Sequence, residues 1–240
     1  MRIAVLSDIH SNLVALDAVL ADAGSVDAVW HLGDVVGYGP DPDGVVGRLA
    51  EIGAVGVQGN HDAAALGGPE IEWFNPDARA AAAWTRDTIG DATRSWLSAQ
   101  PVTTVVEGIA LVHGSPRDPL REYLTSRAAA LANLEILETT LGLHGHTHIP
   151  AAFIGTDTTF GAVLPADGER LDLGDERALV NPGSVGQPRD GDPDASYAIL
   201  DTDAGHVTWH RVSYDIAAVQ SAMVAVGLPR RLVDRLAFGL

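Results

Sequence analysis

The stretch LHGHTHIP, residues 143–150, places three of the chain's nine histidines, His144, His146 and His148, within five positions. Upstream, apolar runs end in further donor groups. RIAVLS leads into Asp8-Ile9-His10, DAVWHL into Gly33-Asp34, AVGVQ into Gly59-Asn60-His61-Asp62, and ALVHG brings His113. The spacing from Asp8 to Asp34 is 26 residues, and from Asp34 to Asn60 it is 26 again. Asp8, His10, Asp34, Asn60, His113, His146 and His148 offer hard oxygen and borderline nitrogen donors without sulfur, a set that suits Mn, Fe, Zn, Ni or Co better than copper(I). Seven donors exceed what one ion with open positions needs. They suit two divalent ions about 4 Å apart that share one carboxylate, the arrangement of two-metal hydrolysis.

Taken singly, each residue has a plainer reading. Asp8 or Asp34 could cap a helix, Asn60 could serve a turn, and His113 could be a core histidine. Their common position at the ends of successive strands is what favours a site. The strand at 2–7 is followed by a helix at 12–24 with Leu13, Leu16, Val19 and Leu20 at helical spacing, then a strand at 27–32, a helix at 41–53 and a strand at 54–58. Such alternation predicts parallel strands with right-handed crossovers. Residues 8, 34 and 60 then fall at adjacent carboxyl ends, the edge where open α/β sheets build sites. If 143–148 is extended, His146 and His148 share a face.

The second half reads as helices near 76–89, 91–98 and 126–140, with strands at 102–106, 109–112, 151–154, 158–164, 178–181, 195–201 and 206–213. Two packed sheets with outer helices accommodate them. From Asp215 to residue 240 the chain reads as a helical tail split at Pro229. No repeat or polar linker divides the 240 residues, so the expectation is a single domain.

Composition removes mechanisms. There is no cysteine and no lysine, and all fifteen basic residues are arginine. A thiol nucleophile, a thiolate metal site, a Walker A lysine and Schiff-base chemistry are therefore excluded. A net charge of -17 disfavours nucleic-acid polymers and anionic membranes, and leaves small substrates as the expected partners. The opening residues read as a strand rather than a leader, and no apolar run approaches the ~18 residues of a membrane span. Both point to the cytoplasm.

Together, Asp8-x-His10, Gly33-Asp34, Gly59-Asn60-His61, His113 and Gly145-His146-x-His148 resemble, in order and flanking glycines, the motifs of the calcineurin-like metallophosphoesterases. Asn181-Pro182-Gly183-Ser184 and the later strands are similar to its small prokaryotic phosphodiesterase branch. The resemblance implies an α/β fold, a four-layer α-β-β-α sandwich of two mixed sheets flanked by helices. It also implies two divalent ions, manganese foremost: Asp8, His10 and His148 on one, Asn60, His113 and His146 on the other, Asp34 bridging. A hydroxide held between the ions would attack phosphorus in line, and His61 would protonate the leaving oxygen.

The implied activity is hydrolysis of a small phosphodiester or phosphomonoester. Hydrolysis of dinucleoside polyphosphates is an alternative, since GDVVGYGP is similar to the glycine-rich loop of such enzymes. A protein-interaction scaffold with little activity is another, because the superfamily includes a retromer subunit of that kind. One departure stands out. Protein serine/threonine phosphatases carry an aspartate three residues after the bridging one, where it orients the catalytic histidine. Here that position is Gly37, and Asp62 is the candidate substitute.

For the substrate anion, Arg117 in HGSPRD and Arg189 in NPGSVGQPRD sit in proline-containing loops beside the motifs, and arginine's planar fork suits phosphate oxygens. Asp118 and Asp190 could equally anchor them. Asn12, in DIHSN, either approaches the site or caps the first helix. GYGPDPD, 37–43, could be a substrate-facing loop, but its Gly, Pro and Asp read foremost as a turn into a helix N-cap. His31 and His144 read as packing residues, and His206 and His210 as solvent-facing.

Overall fold

The computed structural model describes residues 1–240. The first half runs β1 (Arg2–Leu6), α1 (Leu13–Ala23), β2 (Ala28–His31), α2 (Pro42–Glu51), β3 (Val55–Gly56) and α3 (Asn60–Ala65), then a 3-10 turn at Pro69–Trp73, α4 (Pro76–Thr88) and α5 (Asp91–Ser98). There follow β4 (Thr103–Val106), β5 (Ile109–Val112), α6 (Arg127–Ile136), β6 (Leu141–Leu143), β7 (Ala151–Ile154), β8 (Gly161–Val163), β9 (Arg170–Asp172), β10 (Ala178–Asn181), β11 (Ala195–Asp201), β12 (His206–Val212), α7 (Ile216–Ala225) and α8 (Arg230–Arg235).

The strands form two mixed sheets of six, ordered β3-β2-β1-β11-β12-β9 and β4-β5-β6-β10-β7-β8. β1, β2 and β3 are mutually parallel in the first sheet, and β5, β6 and β10 in the second. The sheets face each other across a core in which Ile3, Val5, Trp30 and Leu32 of one meet Leu111, Leu143 and Val180 of the other. α1, α2 and α5 cover the outer face of the first sheet through Leu16, Val19, Leu49 and Leu97. α6 covers the second through Leu134, packed with Leu137, Phe153 and Leu179. The four layers are thus helix, sheet, sheet and helix, as the motifs imply. No helix is long and apolar enough to cross a membrane.

Local signals explain most boundaries. Asn12 caps α1 by accepting from Ala15 N, and Asp41 caps α2 by accepting from Gly44 N, with Pro42 at the helix start. α6 ends at Ile136 rather than near 140, because Leu137 leaves helical geometry and is buried against the second sheet. β3 keeps two residues of the expected five, since the chain turns at once into α3, a helix whose polar start reads locally as a turn. β9 escapes the alternation pattern: it is a three-residue edge strand that pairs only with β12.

Leu111 is fully buried between the sheets. Leu111→Ala should cost about 2–5 kcal/mol through lost burial and the cavity left behind, measured as a shift in denaturant midpoint at constant slope.

Candidate metal centre

Five of the expected ligands adopt left-handed backbone: Asp8 (φ 51), His10 (φ 49), Asp34 (φ 49), His146 (φ 67) and His148 (φ 61). That conformation is uncommon outside glycine. Here it turns each chain sharply as it leaves its strand, so that side chains from several loops converge. The segment after β6 is therefore not extended. His146 and His148 reach the centre because both residues are left-handed, not because alternate strand residues share a face. Cross-loop bonds hold the turns: His10 N to Asp34 O at 3.0 Å, Ser11 N to Val35 O at 2.9 Å and Gly145 N to His113 O at 2.8 Å. A side chain on Gly59 could not fit, since its Cβ would lie 2.2 Å from Asp34 N and Oδ1.

Two donor groups result, Asp8-His10-Asp34-His148 and Asp34-His113-His146, all buried, with ligand atoms within 4.8 Å inside each group. Asp34 belongs to both. Asn60 Oδ1 joins the second group, 3.0 Å from His113 Nε2. Backbone carbonyls fix the imidazole tautomers. His10 Nδ1 donates to Val36 O at 3.1 Å, His148 Nδ1 to Gln187 O at 2.6 Å, His113 Nδ1 to Leu32 O at 2.8 Å and His146 Nε2 to Arg121 O at 3.2 Å. At His10, His146 and His148 the remaining nitrogen then presents a lone pair inward, and at His113 it does so once the ring gives up the proton that Asp34 and Asp8 favour. His10 Nε2 faces His148 Nε2 at 3.2 Å, and His113 Nε2 faces His146 Nδ1 at 3.0 Å. Acceptors that face one another at such distances fit a shared cation. Asp8 Oδ1, buried with no hydrogen-bond donor, lies 3.3 Å from His148 Nε2 and fits the same reading.

The electrostatics agree. Burial drives His10 and His148 well below their ordinary range and takes His146 down to about 3, so these rings are neutral and ready to ligate. Burial also pushes Asp8 up to about 7, with the charge of Asp34 adding to it. Burial resists ionisation of Asp34 too, but His113 and His61 hold it far below the usual carboxylate range. At His113, burial is outweighed by Asp34 and Asp8, which hold the ring up at about 9. The anionic field that does so is the field that attracts a divalent cation.

His61 is buried beside the centre, stacked on Phe74 at 4.3 Å and packed on Tyr38 at 4.2 Å. Its backbone N donates to Asp34 Oδ1 at 2.8 Å. Burial takes the ring down to about 4 against the pull of Asp34. Its Nδ1 has no partner. A Cβ on Gly37 would lie 2.6 Å from that atom, so the missing carboxylate is missing where it would act. Asp62 does not replace it. Asp62 Oδ1 accepts from Val36 N at 3.0 Å and Oδ2 from Gly59 N at 2.9 Å, which makes Asp62 a cap that pins the loops after β2 and β3.

Two further residues take the plainer of their two readings. Asn12 is spent on structure, its Oδ1 capping α1 and its Nδ2 donating to Gly186 O at 3.1 Å. Arg117 pairs with Glu122, not with Asp118, and is half exposed. Glu122 also accepts from Ser115 Oγ at 2.6 Å and Asn133 Nδ2 at 2.9 Å, so Arg117 anchors its loop. Arg189 differs. Asp190 is taken by Arg211, and the Arg189 guanidinium lies over the Tyr38 ring, 5.7 Å from its centroid, on the rim of the centre. His31 and His144 are buried packing residues, as expected. His206 and His210 are half-buried rather than solvent-facing, His210 because it stacks on Tyr197 at 5.0 Å.

Several neighbours of the centre are not evident in the sequence. Tyr38, inside the turn GYGP, packs its ring 4.6 Å from that of His10, so the turn also faces the centre. Its place between Gly37 and Gly39, four residues after Asp34, is the available signal. Trp73, Phe74, Arg121 and Tyr123 line a cavity of about 240 Å3 that opens beside Asn60 and His146. Tyr123 stacks on His146 at 3.8 Å, and Arg121 covers Trp73. Arg235, at the end of α8, joins Tyr38 from the far end of the chain, with no local signal.

The sequence profile of the calcineurin-like phosphoesterase superfamily domain matches residues 1–205. An uncharacterised protein of Methanocaldococcus jannaschii is 36% identical over 245 residues, covering 99% of this chain and 98% of that relative. The crystal structure of a metallophosphoesterase from Sphaerobacter thermophilus superposes with a TM-score of 0.92 at 45% identity, covering 100% of this chain and 99% of the other. A hypothetical protein from Pyrococcus horikoshii shares the fold, with a TM-score of 0.81 at 21% identity and coverage of 100% and 98%.

If Asp62 is a cap, Asp62→Ala strands two buried amides and should destabilise the protein by about 1–3 kcal/mol. Asp62→Asn, which keeps one acceptor oxygen, should lose less. Thermal unfolding of the two variants checks the order.

Proposed function

The chain belongs to the calcineurin-like phosphoesterase superfamily, and we propose that it is a dinuclear metal-dependent phosphoesterase acting on a small phosphodiester or phosphomonoester, the diester preferred. The observation that carries this reading is the position of Asp34 in both donor groups. Asp8, His10 and His148 would hold one divalent ion, Asn60, His113 and His146 the other, and Asp34 both, with manganese the foremost candidate among Mn, Fe, Zn, Ni and Co. When bound, such ions supply Lewis acidity, activating water near neutral pH and neutralising phosphoryl charge.

The chain's own groups supply the rest. Carbonyls of Leu32, Val36, Arg121 and Gln187 orient the imidazoles before any substrate arrives. Asp62 and the amides it binds hold His61 beside the centre. His61 would give its proton to the leaving oxygen. An entering phosphate adds negative charge beside the ring, the change that raises an imidazole's proton affinity. Arg189 on the rim would meet the substrate anion. The cavity lined by Trp73, Phe74 and Tyr123 would take the ester group and exclude water from it. Those aromatic walls favour, as a second reading, an ester bearing a nucleobase, dinucleoside polyphosphates included. The complete donor set argues against a scaffold without activity.

Purified, metal-reconstituted protein assayed against aryl monoesters, aryl diesters, cyclic nucleotides and dinucleoside polyphosphates tests the proposal. Turnover of none of them would overturn it. Elemental analysis tests the ligand roles: Asp34→Asn should lower occupancy at both ions, and His10→Ala chiefly at one. Two ions per chain retained in Asp34→Asn would refute the bridge.

His61→Ala should retain metal and lose about 10²-fold or more in rate on esters with poor alkoxide leaving groups. The loss should be clearly smaller on activated aryl esters. Equal losses on both classes would remove His61 as proton donor.

A further inference from the structure

The end of the chain reaches the rim of the metal centre. α7, α8 and the turn that follows pack through Val219, Met223, Leu232, Val233 and Leu236 onto α4 and onto Tyr38, whose ring also touches His10 and His61. Gly191 N donates to Gly239 O at 2.9 Å, which fastens the terminal turn to the loop carrying Arg189. Arg235 is the last residue of α8, and this docking delivers it beside Arg189. The profile of the superfamily domain ends at residue 205, so this arginine comes from a segment outside it.

The two guanidiniums are placed at a cost. Both lie over Tyr38, with Cζ of Arg189 5.7 Å and Cζ of Arg235 4.9 Å from the ring centroid. Both donate to one neutral atom, Gln187 Oε1, Arg189 Nη2 at 3.0 Å and Arg235 Nη2 in a close contact. Neither pairs with a carboxylate, although the chain has 32 of them, and the adjacent Asp190 is bound by Arg211. The Nε of each is buried with no acceptor. Burial, with Arg189 adding, takes Arg235 down to about 10. Two like charges that share one neutral acceptor, with unused donors, are complementary to an anion with several oxygens. Gln187 ties them to the centre, because its backbone O accepts from His148 Nδ1 at 2.6 Å.

We propose that Arg189 and Arg235 form a two-arginine clamp for phosphate oxygens of the substrate, which makes the C-terminal helix part of the substrate site. The inference rests on the phosphoesterase reading, but it concerns anion recognition and can be measured without turnover. A phosphate seated on the clamp relieves the repulsion between the guanidiniums and supplies acceptors for their free donors. Its source is either the phosphate under attack or a second phosphate of the same molecule.

The test uses full-length, metal-loaded protein and the variants Arg235→Gln, Arg235→Lys and Arg189→Gln/Arg235→Gln, with metal content measured for each. The first probe is inorganic phosphate, read by calorimetric titration and by its effect on Tm. Arg235→Gln should weaken phosphate binding about ten-fold, Arg235→Lys should recover part of the loss because it keeps the charge without the fork, and the double variant should lose more. The second readout is the split between KM and kcat on an aryl monoester, an aryl diester and a dinucleoside tetraphosphate. KM should rise about ten-fold in Arg235→Gln while kcat falls less, the pattern of lost ground-state binding. An equal rise on all three assigns the clamp to the phosphate under attack. A rise confined to the tetraphosphate assigns it to a second phosphate.

Phosphate affinity and KM unchanged in both Arg235→Gln and the double variant would overturn the proposal. So would the absence of measurable phosphate binding by the wild-type protein. If no ester is turned over, the phosphoesterase reading fails while the titration still decides whether the arginines bind the anion.

Discussion

The imidazole nitrogens of His10 and His148, 3.2 Å apart with their lone pairs turned toward each other, are the constraint on which the rest of this structure depends. Lone pairs at that distance repel, and the ordinary remedy would be a ring flip or a change of tautomer. Neither is open here, because the other nitrogen of these rings, and of His113 and His146, is committed to a backbone carbonyl: Val36, Gln187, Leu32 and Arg121. These carbonyls lie in loops after β2, β10, β2 and β5. The tautomers are thus set by how the two sheets are docked, and the docking has to be accurate at the scale of a hydrogen bond.

Left-handed backbone at Asp8, His10, Asp34, His146 and His148 is the means of convergence, and it costs free energy at every one of these residues, about 1–3 kcal/mol each. Such conformations persist only where the surroundings over-determine them. Two features do so. The parallel strands β1, β2, β5, β6 and β10 end at a common edge over the core between the sheets, so each loop starts from a rigid point. Asp62 and Asn12 then sew the loops together, the one through Val36 N and Gly59 N, the other through Ala15 N and Gly186 O. Polar residues that read as site chemistry therefore serve to stabilise strain.

How much of this is legible in the sequence depends on the range of the interaction. The donors are legible because a run such as RIAVLS that ends in Asp-Ile-His is a local pattern repeated strand after strand, and parallel topology converts that repetition into proximity. The outer helices are legible through their apolar spacing. Side-chain partners are not. Asp62 differs from a catalytic aspartate only in that two amides, one of them 26 residues away, find it first. Arg117 is diverted by Glu122, whose capture also needs Asn133 from α6. Tyr38 and Arg235 lie 197 positions apart and meet through apolar packing of the tail, which no spacing rule relates to a metal centre. β9 is too short to alternate visibly.

The distribution of charge sets the field that an anion meets at the centre. With -17 overall, the protein repels anions at long range, yet beyond about 10 Å that repulsion is screened at ordinary salt, and contact is governed by what lies at the rim. Many of the arginines are neutralised near the surface, Arg48 by Asp17, Arg127 by Asp157, Arg211 by Asp190 and Arg230 by Asp234. Arg189 and Arg235 keep their charge uncompensated beside the donor groups. A polymer must bring many phosphates into the acidic surroundings in order to place one at the centre. A small ester would bring one or a few, within reach of the proposed two-arginine clamp. Under the proposed phosphoesterase reading, an acidic exterior around a locally basic rim would disfavour nucleic acid relative to small anionic esters, without any steric barrier.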